Sequence, residues 1–165
     1  MNYIELELFE RKIRFYDENH IETEFKNKKD DWQRVKITLR KDNYKTITLT
    51  KYGFQYHILV HRLVFYAHNL SWDFYYASTD NSIDHIDGNR QNNSITNLQC
   101  ISNQENQFNR KVKGYYWSKQ NKKWHSQIKV NGKTIHLGYF DNEKDAHNCY
   151  LEGKKKYHII NPRVF

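Results

Sequence analysis

Between Ser82 and Asn106 the chain runs from strand to polar loop to strand to helix with almost nothing between them. Ser82-Ile83-Asp84-His85 leads into Asp87-Gly88-Asn89 and Asn92-Asn93-Ser94, which are turn sequences, and Leu98 to Ile101 is a short apolar run. Ser102 with Glu105 three residues on is a capping box and opens a helix. The segment sets Asp84 and His85 at a strand end, an amide at Asn97 and another at Asn106. Side chains of sequential residues on a regular strand diverge, so the strand is expected to end or bend at His85.

The rest of the chain is organised around this segment. Ile4 to Leu8, Lys12 to Phe15, Val35 to Leu39 and Thr46 to Leu49 alternate as short strands, with a hairpin near Asp42 and Asn43. A helix is expected from about Ile58 to His68, where Leu59, Leu63, Val64 and Ala67 share a face. His57 and His61 are four apart but no third metal ligand accompanies them, which favours a packed or hydrogen-bonded pair. Beyond a basic junction at Lys111 to Gly114, alternating runs at Tyr115 to Ser118, Lys123 to Val130 and Thr134 to Phe140 predict three strands. Asn131-Gly132 is the strongest short hairpin signal in the chain. Asp141 can cap a closing helix on which Ala146, Cys149, Tyr150 and Gly153 face one way.

Charge separates the two parts. Residues 1 to 110 hold 15 Lys and Arg against 15 Asp and Glu, whereas residues 111 to 165 hold 12 against 4, so the last third supplies the whole net charge of +8. A basic module beside a neutral one is the electrostatic footprint of nucleic-acid attachment, because cations at phosphates release condensed counterions. Two cysteines, Cys100 and Cys149, with no Cys-x-x-Cys pair, exclude a cysteine-rich zinc knuckle and a disulfide framework. The N-terminus is acidic and alternating, and His61 and Arg62 break the best apolar run, so the chain is expected to be soluble and intracellular, in the cytoplasm or nucleus of its host, without a membrane segment.

With Asp84-His85, Asn97 and Asn106 in line, and Val60-His61-Arg62-Leu63-Val64 ahead of them, residues from about Val60 to Arg110 resemble the HNH nuclease family, in the branch found in homing endonucleases of mobile introns. The resemblance implies a ββα-metal finger, with His85, Asp84, Asn97 and Asn106 as catalytic-site residues. Phosphodiester cleavage needs an activated water and stabilisation of developing charge. His85, whose ordinary pKa is about 6.5, suits the general base. Asp84 and Asn106 offer oxygen to a hard cation such as Mg2+ (or Mn2+), and no structural zinc is expected. Asn97 is expected to clamp the loop between the strands, while Asn109 and Arg110, further along the helix, can hold the scissile strand.

From 113 to about 158, Trp117, Trp124, Leu137-Gly138-Tyr139-Phe140 and the helix from Ala146 resemble the Apetala-two, or ethylene-response-factor, DNA-binding domain, with Tyr115, Tyr116 and Ser126 departing from its pattern. That implies contacts to double-stranded DNA from Lys119, Trp124, Gln127, Lys129 and Lys133, with Trp117 in the core. The fold class expected is α+β: N-terminal antiparallel strands and a helix leading into the ββα-metal finger, then a three-stranded antiparallel sheet packed on one helix, with domains at 1–110 and 111–165. The function expected is a metal-dependent endonuclease of a mobile element, phage or large virus, which nicks as a monomer and needs a dimer or sequential nicks for a double-strand break. A non-catalytic DNA-binding regulator that keeps the finger as scaffold is the principal rival, and an RNA binder stacking bases on its tyrosines is a second.

Overall fold

The computed structural model describes residues 2–25, 28–76, 80–109 and 112–163. Its architecture is mixed α and β, with antiparallel sheets and few helices. The chain forms two compact units: Met1–Cys100 with Arg163–Phe165, and Ile101–Pro162.

In the first unit, β1 (Ile4–Leu8), β2 (Arg11–Asp17), β3 (His20–Phe25) and β4 (Lys28–Arg34) make a four-stranded meander. The alternation read at Ile4 to Leu8 and Lys12 to Phe15 places Leu6, Leu8, Ile13 and Phe15 in the core, joined by Ile21 from β3. The sequence reading passed over β3 and β4, whose polar composition masks the period. On β3 the inward positions are filled by one Ile and one Thr, and Thr23 is satisfied by donating to the Lys12 carbonyl. A second sheet holds β5 (Thr38–Leu39), β6 (Lys45–Lys51) and β7 (Phe54–Leu59), with the expected reversal at Asp42-Asn43, where Asn43 takes φ 65°. Because Leu59 still pairs with Thr46 on β6, helix α1 starts at Val60 rather than Ile58 and runs to His68. Its inward face, Val60, Leu63, Val64 and Ala67, packs into one core with Ile47, Leu49, Trp72 and Ile83. Burial of each such aliphatic side chain contributes about 1.5–3 kcal/mol.

The short pair β8 (Ser82–His85) and β9 (Leu98–Ile101) follows, then α2 (Asn103–Phe108), in the order read from the sequence. The capping box is complete: Glu105 N donates to Ser102 Oγ at 3.1 Å and Ser102 N donates to Glu105 Oε2 at 2.8 Å. Two contacts bind α2 to C-terminal residues, Phe108 stacking on His158 with centroids 4.0 Å apart and Glu105 Oε1 accepting from Asn161 N. Compactness therefore divides the chain after Cys100, ahead of the change in charge composition near residue 110. The junction at 110 and 111 lies outside the described residues.

The second unit also contains β10 (Tyr115–Ser118), β11 (Lys123–Val130), β12 (Lys133–Phe140) and α3 (Glu143–Tyr157), a three-stranded antiparallel sheet against one helix. Asn131 and Gly132 turn the second hairpin with φ 50° and 77°, the left-handed pair that a two-residue type I′ loop requires. The cap of α3 is Asn142, whose side chain accepts from Asp145 N at 2.9 Å. Asp141, expected in that role, pairs with Lys123 instead. Gly153 belongs to the helix face as read, because a Cβ there would lie 2.8 Å from Leu137. Trp117, expected in the core, is 46% exposed: β10 is the edge strand, and α3 packs chiefly across β11 and β12. Among the described residues no helix is long and apolar enough to cross a membrane.

Candidate active site

The polar segment between β8 and β9 is a knot of side-chain hydrogen bonds centred on Asn97. Its Nδ2 donates to Asp87 Oδ1 at 2.9 Å and to the Asn92 carbonyl at 2.8 Å, and its Oδ1 accepts from Asp87 N at 3.1 Å. The main chain joins in, with Ile86 N donating to the Asn97 carbonyl. Asp87 also accepts from Asn92 Nδ2 and Asn89 N, and these bonds, led by Asn92, hold its carboxyl below the ordinary range. An ionised carboxylate with several donors is favoured over its protonated form. Gly88 closes the turn at φ 71°, its N–H donating to the His85 carbonyl.

β8 ends at His85, but its regular alternation leaves the side chains of Asp84 and His85 on opposite faces. Up to that point the strand alternates regularly: Ile83 and His85 are buried, whereas Ser82 and Asp84 are half-buried. Asp84 Oδ2 accepts from Gln99 Nε2 across the pair at 3.0 Å. His85 is 4% exposed, and its Nε2 lies 2.9 Å from Asn93 Oδ1. An amide oxygen only accepts, so Nε2 carries the proton and Nδ1 keeps its lone pair.

Sequence reasoning missed the residues that wall in His85. His61 does not pair with His57, because β7 continues through Leu59 and only His61 lies on α1. His57 bonds Thr48 Oγ1 instead. His61, 5% exposed, sets its ring edge-on to His85 with centroids 5.0 Å apart, and Tyr44 lies against both rings. Burial first, and the neighbouring His85 and Arg62 after it, push the His61 pKa down to about 3. It is therefore neutral at physiological pH and sets no positive charge beside His85. Arg90 covers the outer face of Tyr44 with its guanidinium 4.8 Å from the ring centroid. Asn93 carried a signal, as the second Asn of an Asn-Asn turn, but only the fold aims it at the imidazole.

Asn106 sits on α2 and Asn109 caps that helix, both in the second unit, while Asp84, His85 and Asn97 belong to the first. Arg110 lies outside the described residues. Among the described residues no group of three His, Cys, Asp or Glu side chains converges as a metal site. Asp84 and Asn106 are each oxygen donors of the kind magnesium accepts, an ion that keeps several waters and takes only one or two protein ligands.

On the sheet of the second unit, alternation puts Gln127 and Lys129 on one face and Trp124, Ser126 and Ile128 on the other. Trp124 packs against Tyr115, and Tyr115 against His147 of α3. Trp124, expected among the DNA contacts, therefore lies on the face opposite Gln127 and Lys129. Lys119 lies in the turn after β10 and Lys133 at the start of β12, both exposed.

With this geometry in view, three similarities to known proteins can be set beside it. Residues 59–108 match the family model for the HNH endonuclease. Protein 3.8 of Escherichia phage T7 is 37% identical over 59 residues, covering 31% of this chain and 49% of that protein, so the chain spans about half the length of this relative. The solved structure of the HNH homing endonuclease I-HmuI, a study of its DNA binding and cleavage, is similar with a TM-score of 0.42 and 21% identity over 94% of this chain and 87% of that one. Residues 59–108, which carry the buried His85, the Asn97 knot and Asn106, are thus the part of this chain that matches the HNH endonuclease family.

Proposed function

We propose that the protein is a metal-dependent DNA endonuclease in which His85 is the general base. The observation that supports this most is the setting of His85: Asn93 holds Nε2, neutral His61 stands against the ring, and the lone pair of Nδ1 remains to accept a proton from the attacking water. Asp84 and Asn106 would hold Mg2+ or Mn2+, which when bound stabilises the charge developing on the phosphate and the departing oxygen. Asn97 keeps the loop in shape and touches no reacting atom. Asn109 and Arg110 would hold the scissile strand.

Double-stranded DNA is the substrate. The basic sheet of the second unit supplies attachment, with Lys119, Gln127, Lys129 and Lys133 as contacts in the manner of an Apetala-two-like domain. The biological setting is that of a homing-type enzyme of a mobile element or phage, acting inside its host cell. With one finger per chain, a monomer nicks one strand.

Incubating the full chain with supercoiled plasmid, with Mg2+ and then with excess chelator, tests the reading directly. Open-circular product that disappears with chelator is expected. Intact plasmid across Mg2+ and Mn2+, with the chain folded and bound to DNA, would replace the enzyme by the scaffold-keeping regulator. If the plasmid is nicked, Asp84→Ala and Asn106→Ala should each raise the metal concentration needed for half-maximal nicking.

A further inference from the structure

Strands β10 to β12 carry an unusual polar chain on the face away from α3. The register pairs Tyr116 with His125, His125 with Tyr139, and Gln127 with His136. His136 and Tyr139 are three apart and would point to opposite faces of a regular strand. The register shift opposite Ser126 and Gln127 inserts one extra residue in β12, and it brings both to the His125 face. Gly138 makes this possible: it sits at φ 152°, and a Cβ there would come within 3.0 Å of the Phe140 ring. The result is a continuous chain. Tyr116 Oη lies 2.7 Å from His125 Nδ1, and His125 Nε2 lies 2.6 Å from His136 Nδ1. Tyr139 stacks on His125 at 4.8 Å.

Proton positions along this chain follow from acidity. His125 is 9% exposed, and burial together with His136 lowers its pKa, so it is neutral and carries one N–H. A phenol is a stronger acid than a neutral imidazole N–H, so Tyr116 donates to Nδ1. His125 must then donate from Nε2 to His136 Nδ1, and a neutral His136 must carry its own proton on Nε2. Each bond polarises the next in the same direction. His136, Tyr116 and Tyr139 are all exposed, the tyrosines at 49% and 45%.

Charge selects the partner. Residues 115–140 hold five lysines and no acid, while the four acids of residues 111–165 all fall between 141 and 152, at α3 and its approach. By alternation Lys123 and Lys129 share the face of His125 and Gln127, which suits a polyanion, and a β-ribbon fits the major groove, where acceptors such as guanine O6 and N7 or adenine N7 are displayed on base edges.

We propose that His136 is a base-reading residue, donating from Nε2 to a major-groove acceptor of duplex DNA, with Tyr116 and His125 as positioning residues that fix its tautomer. This rests on the sheet being the DNA-attachment surface. The test uses the full chain in chelator, so that binding is measured without cleavage, and a duplex recovered by selection from a randomised library. Nitrogen-15 spectra of the free protein at mildly alkaline pH should show His125 and His136 as Nε2–H tautomers, and Tyr116→Phe should mix them. In binding, His136→Ala should cut discrimination at one base position roughly tenfold. Tyr116→Phe should reduce the same preference in part, and Lys129→Gln should weaken all sequences alike. An Nδ1–H tautomer for His136, or base preference unchanged in His136→Ala while Lys129→Gln weakens binding, overturns the inference and leaves sheet attachment intact. If neither substitution alters binding, the attachment surface has been misplaced and both readings fall.

Discussion

The loop between β8 and β9 and the sheet of β10 to β12 both use polar side chains in quantity, yet to opposite ends. In the loop, Asn97 bonds Asp87 and Asn92, Asn93 turns inward to His85, and that imidazole is nearly closed to solvent. On the sheet the lysines stay exposed, and the one ordered polar chain ends on an exposed ring. A proton-transfer group works from a fixed geometry, which enclosure provides. Attachment to phosphates works through charge that remains hydrated until contact, which exposure provides. The loop is rich in Asn and the sheet in Lys, and the backbone makes of the one an enclosed network and of the other an open surface.

The comparison would break most visibly at His85. His85→Ala should lower nicking by roughly a hundredfold to ten-thousandfold while duplex affinity stays within a few fold. Equal losses of nicking and binding, measured by plasmid conversion and filter binding on one preparation, would show that enclosure and attachment are not separate. Next in size is an acid effect from His61. Its folded pKa of about 3 lies below the unfolded value of about 6.5. Between these the unfolded chain binds a proton that the folded chain refuses. Stability present above pH 6.5 is therefore lost as pH falls toward 3, by up to about 1.4 kcal/mol per pH unit. Urea unfolding of His61→Leu across that window should show a shallower acid decline, and an identical decline would mean that His61 is not the group responsible.

Asn97→Ala sharpens the loop side. It removes three bonds and leaves Asp87 N and the Asn92 carbonyl without their partner, which should cost about 2–3 kcal/mol in chemical denaturation. A change under about 0.5 kcal/mol would mean the knot is replaced by water. The smallest effect belongs to the open sheet. Lys133→Gln should leave stability unchanged and reduce the slope of log affinity against log salt by about one if it meets a phosphate. An unchanged slope would remove Lys133 from the attachment surface.

Local chemistry made much of this legible. Asn131-Gly132 specifies its own turn, and Ser102 and Glu105 their own cap, because each depends on residues within a few positions. The strands β3 and β4 were not legible, since Thr23 fills an inward position that the eye expects to be apolar. The division after Cys100 was not legible either, because it follows from Phe108 meeting His158 and Glu105 meeting Asn161, fifty or more positions away along the chain. At the site, the residue types and the order Asp84, His85, Asn97 and Asn106 belong to the sequence by itself. Which nitrogen of His85 is left to act, and that His61 stands neutral beside it, belong to the tertiary structure, because a tautomer and a buried pKa are set by neighbours that only folding brings within a few ångströms.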